Sequence, residues 1–361
     1  MTRRTPLFAA HQALGARFVP FGGWEMPVQY QGIIAEHHAV RSGVGLFDVS
    51  HMGKFTVTGP GVMAALQPLV PSNLERLADG QAQYTLLLND RGGVIDDVIL
   101  YRHGRDHWTW IVNAATAGGD RHWICSHLPD TVTLEDRTAE QVLLAIQGPL
   151  ALALLRSVTG IEAKDLPRFG HTMAHFRQQP CFVARTGYTG EDGVEVMTDA
   201  ATGLQLWQDC LDAGGTPCGL GCRDTLRLEA AMHLYGQDLQ STISPLEAGL
   251  GWVVHWQEKS DFIGRKALEQ QRQQGISRQL VGLRLSGRTI ARHDYAVFAQ
   301  ESDAEPVGVV TSGTLSPTLQ YPIALAYVPP QWAALGTELL VEIRQQRHGA
   351  EVVRRPFYRH P

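Results

Sequence analysis

Residues 82–114, AQYTLLLNDRGGVIDDVILYRHGRDHWTWIVNA, decide the fold. AQYTLLL is a run of strand-forming residues, NDRGG a turn, VIDDVILYR a second run, HGRD a second turn and HWTWIVNA a third run. Asn-Asp and Gly-Gly are residues that supply the positive φ angles of tight turns. The stretch therefore predicts three strands in an antiparallel meander.

Upstream of the meander, KFTVTG alternates apolar and polar residues and predicts a strand. Residues 33–41 suit a helix that stops at Gly43. Downstream, residues 116–128 can form a helix, with Gly118 and Gly119 weakening its start. VTLEDRT and VLLAIQGP read as strands and ALALLRSV as a helix. Residues 181–197 alternate again around the turn GYTGEDG. Two helices are expected at 203–213 and 224–234. The polar, Gln-rich LEQQRQQGISRQ marks a domain boundary near 276. Beyond it LVGLRL, VGVVTSG, IALAYV and LLVEIR predict a small β-barrel or sandwich. With 37 glycines and 19 prolines cutting the chain into short segments, the pattern is α+β and not a helical bundle.

A chain of 361 residues admits two or three domains at roughly 150 residues each. Its net charge of -5 excludes a general nucleic-acid binder, which needs a basic surplus. The adjacent Arg354 and Arg355 read as a solvated strand end. No apolar run approaches the ~18 residues of a bilayer span, and MTRRTPLFAA lacks an apolar signal core. A cytoplasmic protein with no membrane partner is expected. The five cysteines, at 125, 181, 210, 218 and 222, contain no Cys-x-x-Cys pair, so free thiols are expected and neither a zinc ribbon nor a thioredoxin-type motif.

Several site types are missing. There is no phosphate loop and no Gly-x-Ser-x-Gly elbow, and GLGCRD lacks the third glycine of a dinucleotide fingerprint. His171 and His175 have the spacing of a helical metal pair, but no glutamate lies between them. The neighbours His37 and His38 point in different directions on a helix.

Three places carry candidate chemistry. Asp96 and Asp97 interrupt the apolar strand VIDDVILY. Asp97 shares a face with Ile99 and Tyr101, and Asp96 with Val98 and Leu100. Either acid can simply cap the preceding Gly-Gly turn, or one can be a partly desolvated carboxylate of tuned basicity. Parity does not choose between them. Glu195, between Val194 and Val196, is either an outward polar residue or a recognition carboxylate for a flat donor pair such as the amino-pyrimidine edge of a pterin. Arg223 and Asp224 follow CGLG at an expected helix start. Asp224 suits an N-cap, and Arg223 either pairs locally or reaches an anionic or carbonyl-bearing ligand.

Taken together, FGGWEMPVQY, GLFDVSHMGK, GGVIDDVILYR, VNAAT, IQGP, RTGYTGEDGVEV, GLGCRDTLRLEAAMHLYGQDL, SPLEAGLGWVV, DFIGRKAL and TSGTLSPTLQYPIALAYVP resemble the glycine cleavage T-protein family. The resemblance runs from about residue 5 to 358, in one order. It implies a three-domain α+β cloverleaf around a central folate channel, with antiparallel sheets and a C-terminal β-barrel. The expected division is 1–50 plus about 140–250 as a discontinuous first domain. About 51–139 plus part of 251–275 form the second, with the meander, and 276–361 the barrel.

Carried over residue by residue, the resemblance makes Asp97 the catalytic aspartate. It places Asn113, Met52, Tyr84, Tyr101, Tyr188 and Arg223 at the folate, with Glu195, and not Glu191, on the pterin. Arg292, in RTIARHDY, matches a carrier-facing position. The alanine usual before the family arginine is Cys222 here. The implied activity is transfer of the methylene carbon of a lipoyl-bound aminomethyl group on H-protein to tetrahydrofolate, with release of ammonia. Tetrahydrofolate is the implied co-substrate, lipoylated H-protein the partner, and no metal is implied. Folate-dependent demethylases of the same fold share Asp97 and Glu195 and differ in the donor. An iron–sulfur-assembly branch carries a cysteine motif where this chain reads HLYGQDL, without cysteine.

Overall fold

The computed structural model describes residues 2–360. The meander forms as its alternation requires. Gln81–Leu88, Val94–Gly104 and His107–Val112 lie side by side, and Gly53–Thr58 and Thr133–Asp136 complete a five-stranded antiparallel sheet. Of the four expected turn residues Asn89, Asp90, Gly92 and Gly93, Gly92 alone takes a positive φ, +77°. Asn89 closes the turn, its Oδ1 accepting from the N–H groups of Arg91 and Gly93. Capping by Asp96 or Asp97 is thereby ruled out. Gly93 has a different constraint: a Cβ there would sit 1.9 Å from the Ser241 carbonyl oxygen.

The chain divides into two compact units. The first runs up to Leu87 and from Asp96 to Arg223; the second is Leu88–Ile95 and everything from Asp224 onward. Besides most of the meander sheet, the first unit holds a six-stranded sheet in the order His171–Phe176, Gln179–Ala184, Gly193–Asp199, Gln141–Gln147, Gly45–Asp48, Thr216–Pro217. Its neighbours are antiparallel except the last pair. Helix Ala200–Asp212 starts where Asp199 accepts from the N–H groups of Ala201 and Thr202. It buries Leu206, Trp207 and Cys210 against Leu144, Ile146 and Val196 of the sheet. Residues three and four apart share a helix face, so the apolar spacing decides which side packs inward.

The second unit contains the barrel. Gln279–Leu285, Pro322–Val328, Gly308–Leu315, Ala296–Phe298, Glu338–Ile343 and Gln346–Val353 close in that order. Closure leaves no sheet edge. Two of these strands, 296–298 and 346–353, escape sequence reading, because three residues are too few for a period and QRHGAEVV is polar. A buried network locks this unit. Arg227 donates to Asp238 at 2.6 Å and to Ser312 Oγ at 2.9 Å, while the Ser312 hydroxyl donates to Asp238 at 2.8 Å.

Two local expectations change. The helix expected at 224–234 is Leu220–Glu229, so Asp224 lies inside it and pairs with Arg227 at 2.8 Å instead of capping. Ala231, at φ +54°, has already left the helix. His171 and His175 lie on a strand, where four residues span about 13 Å, and His175 is exposed. They are no metal pair.

Candidate functional site

Strand Val94–Gly104 resolves the ambiguity between the two acids. Asp96 is fully buried, whereas Asp97 is half-buried. Asn113, at the end of the third meander strand, grips both. Its backbone N–H donates to Asp96 Oδ2 at 3.0 Å, and its Nδ2 donates to Asp96 Oδ1 and Asp97 Oδ1 at 2.9 Å each. The Tyr84 hydroxyl, from the first meander strand, donates to Asp97 Oδ2 at 3.1 Å. Burial, and then the neighbouring Asp96, push the Asp97 carboxyl up to about 7, although the Tyr84 and Asn113 hydrogen bonds favour its ionised form. Burial and Asp97 also push the Tyr84 hydroxyl well above its ordinary value, so it stays a donor.

A second group forms around Glu195, on strand Gly193–Asp199. The Thr186 hydroxyl donates to Glu195 Oε2 at 2.6 Å, and Tyr101 Oη stands 3.3 Å from Thr186 Oγ1. With the Thr186 hydrogen given to the carboxylate, Tyr101 is left as the donor in this chain of three. Tyr101 itself is 1 % exposed and packs against His171 and Phe182. Arg223, in the first turn of helix Leu220–Glu229, lies over the Tyr188 ring at 4.8 Å. Burial lowers its pKa, and Glu195 and then Tyr188 act against that. Its Nη1 is buried and has no hydrogen-bond acceptor among the described residues.

The local sequence explains why these side chains are presented. Gln147 of IQGP lies under the GYTG turn, its Nε2 donating to the Thr186 carbonyl and its Oε1 accepting from the Thr189 hydroxyl. A Cβ at Gly187 would fall 1.9 Å from Gln147 Oε1, so a larger residue there would push the Gln147 amide out of these bonds. Glu191 is committed elsewhere, to Arg41 at 2.8 Å, which leaves Glu195 as the glutamate beside Arg223. Glu36 accepts from the N–H groups of Tyr30, Gln31 and Gly32 through Oε1 and from Gly219 through Oε2, tying down the start of the Arg223 helix. Glu36, Cys218 and Cys222 bring possible ligand atoms within 4.8 Å of one another. The four N–H groups already held by Glu36 identify it as an anchor for backbone. All five cysteines are free, four of them buried.

Met52 follows the buried Asp48–Val49–Ser50–His51 segment. Asp48 accepts from the Ser50 N–H and the Thr5 hydroxyl and meets His11 Nε2 at 2.9 Å. Burial lowers the pKa of His51 to about 3 against the pull of Asp48, with Arg223 and Lys54 adding to the effect, so the ring is neutral. Met52 is half-buried, and its carbonyl accepts from Lys54 Nζ at 3.0 Å. Arg292 belongs to the second unit, is exposed, and donates to the Gly313 carbonyl at 3.3 Å.

The structure thus joins Tyr84, Asp97 and Asn113 directly, and Tyr101 and Glu195 through Thr186. Tyr188 and Arg223 stack, and Arg223 bears on both Glu195 and His51. Sequence reasoning missed Thr186, His51, Gln147 and Asp120. Thr186 and Gln147 do fall inside the motifs RTGYTG and IQGP. Asp120 gives no signal, because an acid in the first turn of a helix ordinarily just serves the helix dipole.

An N-terminal GCVT domain model matches residues 7–258. A glycine cleavage T-protein C-terminal barrel domain model matches residues 278–359. An aminomethyltransferase of Picosynechococcus sp. is 54% identical, covering 99% of this chain and 98% of its own length. One from Nostoc sp. is 55% identical, covering 99% and 96%. The crystal structure of glycine cleavage system aminomethyltransferase T from Bartonella henselae superposes with a TM-score of 0.94 at 34% identity, covering 100% of this chain and 99% of the other.

Proposed function

Because this chain belongs to the glycine cleavage T-protein family and is an aminomethyltransferase of the glycine cleavage system, we propose that its acceptor is tetrahydrofolate and its donor a lipoylated H-protein carrying an S-aminomethyl group. The chemistry this pairing supplies joins the methylene carbon to one folate nitrogen as ammonia leaves and to the second as the carbon–sulfur bond breaks, the two folate N–H protons leaving with the ammonia and the dihydrolipoyl thiol, to give 5,10-methylenetetrahydrofolate. Two observations of the site fit such a ligand. Glu195 accepts from the Thr186 hydroxyl through Oε2 and lies beside Arg223, and a carboxylate so held suits a flat donor pair. Arg223 holds a buried, unused N–H donor that suits an acceptor on the ligand. Met52, Tyr84 and Tyr188 are assigned to the surrounding apolar and hydroxyl surface, the buried Tyr101 to the support of Glu195 through Thr186, and Arg292 to the carrier-facing side.

Asp97 is the catalytic carboxylate in this reading. The observation that carries it is the grip of Tyr84 and Asn113 on a desolvated acid whose pKa is held near neutrality. Such a group can face positive charge as it develops on the carbon, or hold the proton that the folate nitrogen gives up. Preorganisation by two donors spares the carboxylate reorientation during the reaction. Alignment of the two substrates supplies much of the remaining acceleration. No residue needs to form a covalent intermediate, and no metal is assigned a role.

The five free thiols suit a reducing compartment, and we place the protein in the cytoplasm. Among the described residues no helix is long and apolar enough to cross a membrane. The domain division stated from the sequence is retained as part of this proposal. The test is a reconstituted assay with the purified chain, tetrahydrofolate and aminomethylated H-protein, following ammonia. Release that requires all three supports the reading. Turnover of a methyl donor without H-protein would replace it with a folate-dependent demethylase.

A further inference from the structure

Asp120 stands in the first turn of helix Ala117–Cys125 and is fully buried. Neither of its carboxyl oxygens receives a hydrogen bond from any donor among the described residues. The Thr116 hydroxyl donates to the Asn113 carbonyl at 3.1 Å and also stands near enough to Asp120 to favour its ionised form. The Asp120 carboxyl faces that of Asp96, at hydrogen-bonding range. Asp96 is equally buried and already accepts two N–H bonds from Asn113, one on each oxygen. The other polar groups around the pair are Asp97 on the same strand and Tyr84 on the neighbouring one. No cation shifts Asp120.

Two facing carboxylates cannot both be ionised in such a place. A single proton shared between them lets one carboxyl donate to the other across the gap, while both Asp96 oxygens go on accepting from Asn113. We propose that Asp120 is a positioning residue that shares one proton with Asp96 and so holds Asn113, and through Asn113 the carboxylate of Asp97, in its working orientation. Burial, and then the charge of Asp120, push Asp96 well above the usual carboxylate range, and burial pushes Asp120 up to about 6 although the hydrogen bond with Asp96 acts against it. The titration belongs to the pair and not to either acid alone.

The kinetic side of this proposal rests on the reading of Asp97 as catalytic; the shared proton does not. The experiment compares infrared spectra at pH 8 of the wild type, Asp120→Asn and Asp120→Ala, together with their steady-state kinetics. At that pH Asp97 is mostly ionised. The wild type should show the carbonyl band of a buried protonated carboxylic acid, and Asp120→Asn should lack it. Asp120→Asn keeps an N–H donor toward Asp96 and should turn over close to the wild-type rate. Asp120→Ala should lose ~10–100-fold in kcat, the scale of a misplaced reacting group, with the folate KM unchanged. Absence of the band from the wild type, or its persistence in Asp120→Asn, overturns the shared proton even if Asp120→Ala fails to fold. Equal impairment of the Asn and Ala variants, or full activity of the Ala variant, overturns the positioning role. An active Asp97→Asn variant would instead strike the reading of Asp97 and leave the infrared result standing.

Discussion

Asp97→Asn separates what this carboxylate costs the fold from what it contributes to the reaction. The acid titrates at about 7 in the folded chain, against 3.8 for an unperturbed aspartate. Between those values the folded state holds a proton that the unfolded state has released, so stability falls as pH rises from about 4 to about 7. The displacement is about three pH units, and at ~1.4 kcal/mol each the limit is roughly 4 kcal/mol. Asp97 is only half-buried, so screening by solvent reduces this to roughly 1–3 kcal/mol. An asparagine keeps the geometry, with its carbonyl toward Asn113 and its NH2 toward the Tyr84 oxygen, and it has no charge to desolvate. The stability of Asp97→Asn relative to the wild type should therefore rise by ~1–3 kcal/mol between pH 5 and pH 8.5. Urea unfolding followed by circular dichroism at each pH measures this. Turnover should meanwhile drop by ~100-fold or more, the scale of losing one preorganised electrostatic group, with most folate affinity retained. A stability difference that stays flat with pH would refute the burial argument. Full turnover would remove Asp97 from the chemistry.

Further outcomes follow from the same geometry. Glu195→Ala should weaken folate binding by ~1–3 kcal/mol, the loss of a buried charged hydrogen bond, and an unchanged dissociation constant by calorimetry would argue against the pterin contact. Tyr84→Phe removes a donor that favours ionised Asp97, so the acidic limb of the pH–rate profile should move upward by about one unit; a downward shift contradicts the assigned donor. His103, packed on His107 and His171, is held neutral with its pKa lowered to about 3, first by burial and then by those two histidines. The unfolded chain takes up a proton near 6.5 that the folded one refuses, so stability should fall as pH drops below 6.5. His103→Gln should flatten that slope in thermal unfolding between pH 7 and 5. In the second unit, Arg227→Ala leaves Asp238 buried without its partner and should cost ~3–5 kcal/mol in denaturant unfolding.

Much of this architecture is legible in local pattern. The meander and four of the six barrel strands follow from strand-forming runs set between turn residues, and the end of helix Ile33–Ser42 from Gly43. The family motifs marked Asp97, Glu195 and Arg223. What the sequence withholds depends on contacts between distant segments. Parity along VIDDVILY could not tell Asp96 from Asp97, because the difference lies in the buried Asp120 carboxyl on a helix more than twenty residues away. The start of helix Leu220–Glu229 was misplaced because GLG reads as a loop. Gly219 is needed there for close approach: a Cβ would meet the Val28 carbonyl carbon at 2.3 Å. The roles of Thr186 and Gln147 likewise appear only once strands 193–199 and 141–147 lie side by side.

The account stands most directly on the pH dependence of single-turnover ammonia release in the reconstituted system. It predicts a rate that rises with pH through a midpoint near 7, with no such inflection in the residual activity of Asp97→Asn. A wild-type profile flat from pH 5 to 9, or the same inflection in the variant, would contradict it.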